Sequence, residues 1–124
     1  MGKKILLVDD EADLVDFIKR YLEKNGYEVV TAGDGMEGIE KTIAEMPSLV
    51  ILDVKMPRMD GFEMLRRLRN NVDTQYTPII MLTQKRETQS LFQAQDMGST
   101  DYIMKPFQVK ELLDMVNRYI LYAE

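Results

Sequence analysis

The chain has 124 residues, of which 45% are hydrophobic and 30% charged, the size and composition of one globular domain with a real core. Its net charge of −5 argues against nonspecific binding to nucleic acid, and the absence of cysteine excludes disulfides, thiolate metal sites and a cysteine nucleophile. No apolar run is long enough to cross a bilayer, and residues 5–8 are too short an apolar stretch for a signal peptide. We therefore expect a cytoplasmic domain with no membrane partner.

The chain begins with a strand-and-helix unit. Residues 5–8 are a short apolar run that predicts a strand, and Asp9 and Asp10 follow it directly. The next segment has an apolar face at helical spacing, formed by Leu14, Ile18, Tyr21 and Leu22. Gly26 is placed to cap this helix in a left-handed conformation.

A second unit follows, with a less regular pattern. Residues 28–31 predict a weaker strand, and Asp34-Gly35 indicates the start of the next helix. The buried face of this helix is predicted to consist of Ile39, Ile43 and Met46. Pro47 then ends the helix.

The most informative stretch begins with residues 49–52. This unbroken apolar run, bounded by turn residues, suits a strand that is buried on both faces. Asp53 follows at once, and Pro57 and Asp60 mark a turn before the next helix. Ligands of open parallel sheets bind beyond the carboxyl ends of the strands, so Asp53 is a candidate site residue. The alternative is that Asp53 is only an exposed acid at the end of a strand.

The second half of the chain repeats the same unit. The third helix is expected to turn Phe62, Leu65 and Leu68 inward and Arg66, Arg67 and Arg69 outward. Residues 79–82 predict the fourth strand, which Thr83 ends. A fourth helix is expected around Leu91, Ala94 and Met97, closed by Gly98. Residues 101–104 predict the fifth strand, followed by Lys105. The last helix has an apolar face formed by Leu112, Leu113, Val116 and Ile120.

Strands that alternate with helices predict an α/β fold, in which helices cover both faces of a parallel sheet. Right-handed crossovers leave few topologies for five such units. We expect a doubly wound five-stranded parallel sheet in the order 2-1-3-4-5. This is the strand order known for the (βα)5 flavodoxin-like class of folds.

This topology brings five polar residues to one edge of the sheet, namely Asp9, Asp10, Asp53, Thr83 and Lys105. Three carboxylates placed together repel one another, and a hard cation such as Mg²⁺ among their oxygens would stabilise them. The lysine and the hydroxyl suit an anion with several oxygens, such as a phosphoryl group, beside the metal. A carboxylate can act as the nucleophile in phosphoryl transfer and form an acyl phosphate.

Each of these residues also has an ordinary structural interpretation. Asp10 could cap the first helix, Thr83 could be a β-branched strand residue, and Lys105 could be a solvated lysine. Their joint placement at four strand ends is what these interpretations leave unexplained.

Four segments of the chain resemble a known family. They are LLVDDE at residues 6–11, VILDVKMPRMDG at 50–61, PIIMLT at 78–83 and GSTDYIMKPF at 98–107. In this order and spacing they are similar to a two-component response-regulator receiver domain. The resemblance covers essentially the whole chain and implies one domain over residues 1–124, with the chemotaxis-type single-domain receiver fold.

The resemblance implies a phosphoacceptor with a metal site. Asp53 corresponds to the residue that takes the phosphoryl group. Asp9 and Asp10 correspond to the family's acidic pair, which binds Mg²⁺ together with Asp53 and the backbone carbonyl of Lys55. The cofactor expected from the resemblance is therefore Mg²⁺.

The resemblance also implies a phosphate-binding lysine and two switch residues. Thr83 corresponds to the switch hydroxyl, and Lys105 to the lysine that contacts the phosphate, joined to Pro106 by a cis peptide. Tyr102 matches the aromatic switch residue, although an aromatic side chain in a short strand also commonly serves packing.

Three positions beside the expected site depart from the family's usual pattern. Gln84 stands where a small residue is usual. Lys55 and Lys85 stand two places after Asp53 and Thr83, positions that in the family modulate the lifetime of the phosphoryl group. We expect these three side chains to modulate that lifetime here.

By this resemblance the chain is a phosphoacceptor regulator and not an enzyme with a separate substrate. A sensor histidine kinase or a histidine phosphotransfer protein would supply the phosphoryl group, and the domain would promote only its own phosphorylation and dephosphorylation. The new charge would shift the face formed by the fourth helix, fifth strand and fifth helix. We expect no direct binding of nucleic acid, and either a monomer or a phosphorylation-dependent dimer. The cognate kinase and the output, separate or tethered, stay open.

Three alternatives belong to other functional classes. A phosphatase with an aspartate nucleophile would space its acids along the first strand end, whereas here Asp9 and Asp10 are adjacent. A flavin-binding protein of this fold would need a phosphate loop after the first strand, where the acids would repel a phosphate. A receiver-like interaction module that never takes phosphate is the remaining alternative.

Overall fold

The computed structural model describes residues 3–84 and 98–121. Their elements are β1 (Lys4–Val8), α1 (Ala12–Lys24), β2 (Glu28–Ala32), α2 (Gly35–Glu45), β3 (Leu49–Asp53), α3 (Gly61–Arg69), β4 (Ile79–Gln84), β5 (Asp101–Lys105) and a C-terminal helix (Val109–Leu121). The helix expected around Leu91, Ala94 and Met97, and Lys85, lie outside the described residues. None of the described helices has the length and apolar character needed to cross a membrane.

The five strands form one parallel sheet in the order β2-β1-β3-β4-β5. This confirms the doubly wound α/β arrangement expected from the sequence. The register pairs Val8 with Leu52 across β1 and β3, and Gln84 with Lys105 across β4 and β5. β4 therefore continues past its predicted end, and Thr83 lies within the strand rather than after it.

Two apolar clusters cover the two faces of the sheet. Successive strand residues point to opposite faces, so Leu6 and Leu52 join one cluster while Leu7 and Ile51 join the other. The first cluster packs against α2 and α3, and the second against α1 and the C-terminal helix. Full burial of a leucine-sized side chain contributes roughly 1.5–3 kcal/mol. Because every residue of β3 is buried, this central strand holds Asp53 in a fixed position.

Gly26 ends α1 in the left-handed conformation that the sequence predicts. Its φ is +95°, and its amide donates to the carbonyl of Glu23 at 3.1 Å. The amide of Tyr27 donates to the carbonyl of Leu22 at 3.2 Å. These two bonds satisfy carbonyls at the end of the helix and turn the chain directly into β2.

The buried face of α2 differs from the prediction. The residues that face the core are Gly35, Gly38 and Thr42, whereas Ile43 and Met46 are 39% and 63% exposed. The reason is close packing, because a Cβ on Gly38 would lie only 2.8 Å from Met64 Cε and 3.1 Å from Val8 Cγ1. Small residues let α2 approach the sheet and α3, so the larger apolar side chains lie further out. Of the three residues predicted for the buried face, Ile39 is the one that packs against the core.

Arg69 also departs from its predicted place on the outer face of α3. Arg66 and Arg67 are exposed as expected, but Arg69 is half-buried. Its Nε donates to the carbonyl of Gly98 at 2.8 Å, and its Nη1 to the carbonyl of Thr74 at 3.3 Å. Burial lowers the pKa of this guanidinium, and the two carbonyls replace part of its lost hydration.

Candidate functional site

Three carboxylates meet at the carboxyl edge of the sheet. Because β1 and β3 are neighbours, Asp9 and Asp10, directly after β1, lie beside Asp53 at the end of β3. One oxygen atom from each residue lies within 4.8 Å of the other two. Asp9 and Asp53 are buried and Asp10 is exposed. The predicted cluster therefore forms, and Asp10 does not cap α1, whose N-cap residue is Glu11.

The Asp9 carboxylate is only half satisfied by hydrogen bonds. Its Oδ1 accepts the backbone amide of Glu11 at 3.0 Å. Its Oδ2 is buried and, among the described residues, has no hydrogen-bond partner. Burial raises the pKa of Asp9, because an ionised carboxylate loses hydration there. A buried acceptor without a donor is costly, so this oxygen fits the place of a metal ligand.

The charged form of Asp53 is less favourable in this site than it is in water. Burial, followed by repulsion from Asp9, raises the pKa of Asp53 to about 6. The Lys105 ammonium and the backbone amide of Lys55 oppose this rise because they stabilise the carboxylate. The Lys55 side chain is exposed, and the role of its carbonyl as a metal ligand stays a prediction.

Lys105 reaches all of the nearby acids except Asp10. Its Nζ lies 3.3 Å from Asp53 Oδ1, 3.4 Å from Glu11 Oε1 and 3.6 Å from Asp9 Oδ2. Burial disfavours the ammonium, but Asp53 and Asp9 outweigh this and raise the pKa of Lys105. The lysine is therefore held charged inside the site. The peptide bond between Lys105 and Pro106 is cis, as the resemblance implied.

Thr83 and Gln84 lie at the end of β4, between the strands of Asp53 and Lys105. The register pairs Asp53 with Leu82 and Gln84 with Lys105, so Thr83 falls at the level of the site. Thr83 is fully buried, and its hydroxyl donates to the carbonyl of Gln84 at 3.3 Å. Gln84 is partly buried, and it lines a cavity together with Lys105.

Tyr102 lies on β5, partly buried against the apolar cluster that packs on α2 and α3. The Tyr102 side chain therefore contributes to the packing of this cluster. The helix that would form the other side of the expected switch face falls outside the described residues, as does Lys85. The switching role of Tyr102 stays a prediction.

A cavity of about 450 Å³ lies beside the carboxylate cluster, between α1 and the segment that follows β5. Its walls are mainly apolar and include Leu14, Phe17 and Phe107, and its charged lining residues are Glu11 and Lys105. Phe17 is 56% exposed, which is unusual for a large aromatic side chain on a helix.

Glu11 is the residue of this site for which sequence analysis assigned no role. It is the third acid of the run that follows the first strand. The pattern of the sequence assigns Asp9 and Asp10 to the site but does not distinguish Glu11 from an ordinary exposed acid. The only signal was its position directly after the pair. The fold brings it to Lys105, a residue 94 positions away in the chain.

Comparisons with known proteins agree on one family. Residues 5–117 match the model of the response regulator receiver domain. Over 112 residues the chain is 42% identical to the alkaline phosphatase synthesis transcriptional regulatory protein PhoP of Bacillus subtilis, covering 90% of this chain and 46% of that protein. The chain thus spans about half the length of the curated relatives it matches.

Solved structures show the same fold. The chemotaxis protein CheY4 of Vibrio cholerae is 34% identical, with a TM-score of 0.89 over 96% of this chain and 99% of that one. The receiver domain of the sensor histidine kinase PA1611 of Pseudomonas aeruginosa is 28% identical, with a TM-score of 0.88 over 97% and 98% of the two chains. That structure has a magnesium ion coordinated in its active site cleft.

Proposed function

Because the chain belongs to the response regulator receiver family, we propose that it acts in two-component signalling by accepting a phosphoryl group on Asp53. One observation carries the proposal. The Asp53 carboxylate is buried at the carboxyl end of the central strand, beside Asp9 and 3.3 Å from the Lys105 ammonium. A structural aspartate has no need of a second buried acid beside it, since the two repel each other.

In the proposed reaction a partner presents a phosphohistidine, and a carboxylate oxygen of Asp53 attacks the phosphorus. A P–O bond forms and the P–N bond breaks. The electron pair of the broken bond stays on the imidazole, which takes up a proton from water. The attacking carboxylate must be ionised, and with a pKa of about 6 most of Asp53 is ionised near neutral pH.

The residues that would hold Mg²⁺ are Asp9, Asp10 and Asp53, with the Lys55 carbonyl as a further ligand by family resemblance. The buried Asp9 oxygen without a hydrogen-bond partner among the described residues supports this assignment, as do the three carboxylate oxygens that lie within 4.8 Å of one another. When bound, the ion would offset the negative charge of the phosphoryl oxygens. The magnesium in the Pseudomonas receiver domain supports this choice of metal.

Lys105 and Thr83 would bind the remaining phosphoryl oxygens. The ammonium already lies at Asp53, so only a short movement brings it to a group bonded there. The Thr83 hydroxyl would exchange its weak bond to the Gln84 carbonyl, at 3.3 Å, for one to a charged oxygen. This movement would bias the face that carries Tyr102 between two conformations.

The phosphoryl donor would be a sensor histidine kinase or a histidine phosphotransfer protein. A donor that delivers to Asp53 must cover the edge of the sheet where the cavity beside α1 opens. The exposed Phe17 and the apolar walls of that cavity support a protein surface as the partner there. The domain, residues 1–124 in the cytoplasm, would promote its own phosphorylation and dephosphorylation without acting on a separate substrate.

The proposal is tested by intact-mass measurement after incubation with Mg²⁺ and a small phosphodonor such as acetyl phosphate. The parent protein should gain the mass of one phosphoryl group. Asp53→Asn, which is nearly isosteric, should gain none. Asp73→Asn is the matched control, since this exposed aspartate in the loop after α3 lies at the opposite edge of the sheet, and it should behave as the parent does.

Two outcomes would contradict the proposal. An equal mass gain in Asp53→Asn would place the phosphoryl group elsewhere. A parent protein that gains no mass from a small phosphodonor or from a phosphorylated histidine kinase would instead favour the phosphate-independent interaction module.

A further inference from the structure

Lys105 is shared among three acids and is bound closely by none of them. Its distances to Asp53, Glu11 and Asp9 are 3.3, 3.4 and 3.6 Å. Charge-assisted bonds between an ammonium and a carboxylate are usually about 2.7–2.9 Å long. The ammonium therefore lies between its three partners, of which Glu11 is the most exposed.

The Glu11 backbone is fixed while its carboxylate stays available. Its amide donates to Asp9 Oδ1 at 3.0 Å, and its carbonyl accepts the amide of Val15 at 3.0 Å. Glu11 is the N-cap residue of α1, but its side chain makes no capping bond. In contrast, Asp34 and Asp60 cap α2 and α3 with their side chains, each accepting an amide at 2.9 Å.

We propose that Glu11 is a positioning residue of this site, whose carboxylate competes with the phosphoryl oxygens for the Lys105 ammonium. The inference rests on the proposed function, since it concerns the same reaction. Glu11 is 60% exposed, whereas the side chains of Asp9 and Asp53 are almost completely buried. Releasing the lysine from Glu11 therefore costs little, because water replaces the lost contact, whereas releasing it from a buried acid leaves an unpaired charge.

This arrangement has a definite consequence for the unphosphorylated domain. Asp53 and Asp9 do most to keep Lys105 charged, and Glu11 holds the ammonium partly outward from Asp53. An incoming phosphoryl group must displace Glu11 before it gains the full contact with the ammonium. Removing the Glu11 charge should therefore strengthen binding of a phosphoryl group.

The test compares Glu11→Gln with Asp13→Asn. Both remove one negative charge from the start of α1, but Asp13 is exposed and no ion pair with Lys105 is found for it among the described residues. Two quantities are measured with Mg²⁺ present: the acetyl phosphate concentration that gives half the maximal phosphorylation rate, and the affinity for beryllofluoride, which mimics a phosphoryl group on a carboxylate.

In Glu11→Gln the half-saturating donor concentration and the dissociation constant for beryllofluoride should both fall by about two- to five-fold, the size expected of an ion pair with one exposed partner. The maximal rate should change less. Asp13→Asn should match the parent in both measurements, and the difference between the variants should shrink at high salt. Glu11→Ser, which puts a favoured N-cap residue at this position, should repeat the result and exclude a weakened start of the helix as its cause.

Unchanged or weaker binding in Glu11→Gln and Glu11→Ser, with the parent phosphorylated normally, would overturn this inference alone. An equal gain in Asp13→Asn would overturn it as well, because the effect would then come from net charge. A parent that takes neither phosphoryl group nor beryllofluoride would instead refute the proposed function itself.

Discussion

The Lys105 ammonium lies 3.3 Å from a carboxylate oxygen of Asp53, although β4 separates their two strands in the sheet. The lysine crosses the end of β4 because β5 extends to Lys105, level with Gln84. This contact lowers the pKa of Asp53 against the opposing effects of burial and of Asp9. The ionisation of Asp53 near neutral pH thus depends on a residue two strands away.

Replacing the lysine should move the pH dependence of phosphorylation. In Lys105→Gln the pKa of Asp53 should rise above about 6, because the ammonium no longer opposes the effects of burial and of Asp9. The rate of phosphorylation by a small donor should fall, and the pH at which this rate reaches half of its maximum should rise. Mass spectrometry of samples quenched over a pH series measures both. A lower rate with an unchanged midpoint would show that Lys105 acts on the phosphoryl group alone.

Asp53 should also make the metal-free fold less stable as the pH rises. Its pKa in the folded domain is about 6, above the value of about 3.9 expected for an unfolded chain. Between these values the folded state holds a proton that the unfolded state releases, so the free energy of unfolding decreases as the pH rises through about 6. Asp53→Asn, which cannot titrate, should lose less stability over this range. Urea titrations of both proteins without divalent cations check this; parallel curves would contradict the raised pKa.

The sequence predicted the strands and the meeting of Asp9, Asp10 and Asp53 at one edge of the sheet, for a physical reason. A buried strand needs a continuous apolar run, and each run here is followed by polar residues, so the strand ends could be located and then brought together by one topology. Gly38 and Arg69 could not be placed in this way. Apolar periodicity favours large side chains for the core, whereas α2 packs through glycine, and a long arginine side chain reaches carbonyls that no local pattern reveals. Glu11 was missed because its partner is known only once β1 and β5 are arranged in the same sheet.

Mg²⁺ should stabilise the folded domain. It would relieve the repulsion among Asp9, Asp10 and Asp53, and a ligand that binds only the native state raises the free energy of unfolding. Asp10→Asn should reduce this response, because one of the three proposed acidic ligands is lost. Thermal melts with and without Mg²⁺ measure the effect, with Ca²⁺ as a test of selectivity. A melting temperature of the parent that does not depend on divalent cations would argue against the metal site.

Met46 offers a prediction about the fold that is independent of the site. It is the C-cap residue of α2, its φ is +47°, and its side chain is 63% exposed. The left-handed conformation costs a non-glycine residue roughly 1–2 kcal/mol, and the larger chain entropy that glycine loses on folding offsets part of this. Met46→Gly should therefore raise the free energy of unfolding by about 0.5–1 kcal/mol. Met46→Ala is the matched control, since it removes the side chain but keeps the strain. Equal stability of the two variants would show that the backbone strain is negligible.

The last prediction concerns the lifetime of the phosphoryl group, and it rests on two lysines. Hydrolysis of an acyl phosphate needs a water molecule in line with the scissile bond. Lys55 is exposed in the turn directly after Asp53, and Lys85 occupies the corresponding position two places after Thr83. Long side chains at these positions would occupy the path of the water, and a charged ammonium cannot act as a base toward it. Positive charge would also stabilise the transition state, which acts in the opposite direction.

We expect the steric effect to be the larger one, because Lys105 already supplies positive charge at Asp53. Dephosphorylation should therefore be slow in the parent and faster in the double variant Lys55→Asn with Lys85→Glu, which shortens one side chain and gives the other a carboxylate able to orient water. The measurement is the decay of phosphorylated protein after the donor is removed. Lys55→Arg with Lys85→Arg, which keeps length and charge, is the control and should decay like the parent. Decay that is equal or slower in the double variant would show that these lysines do not shield the phosphoryl group.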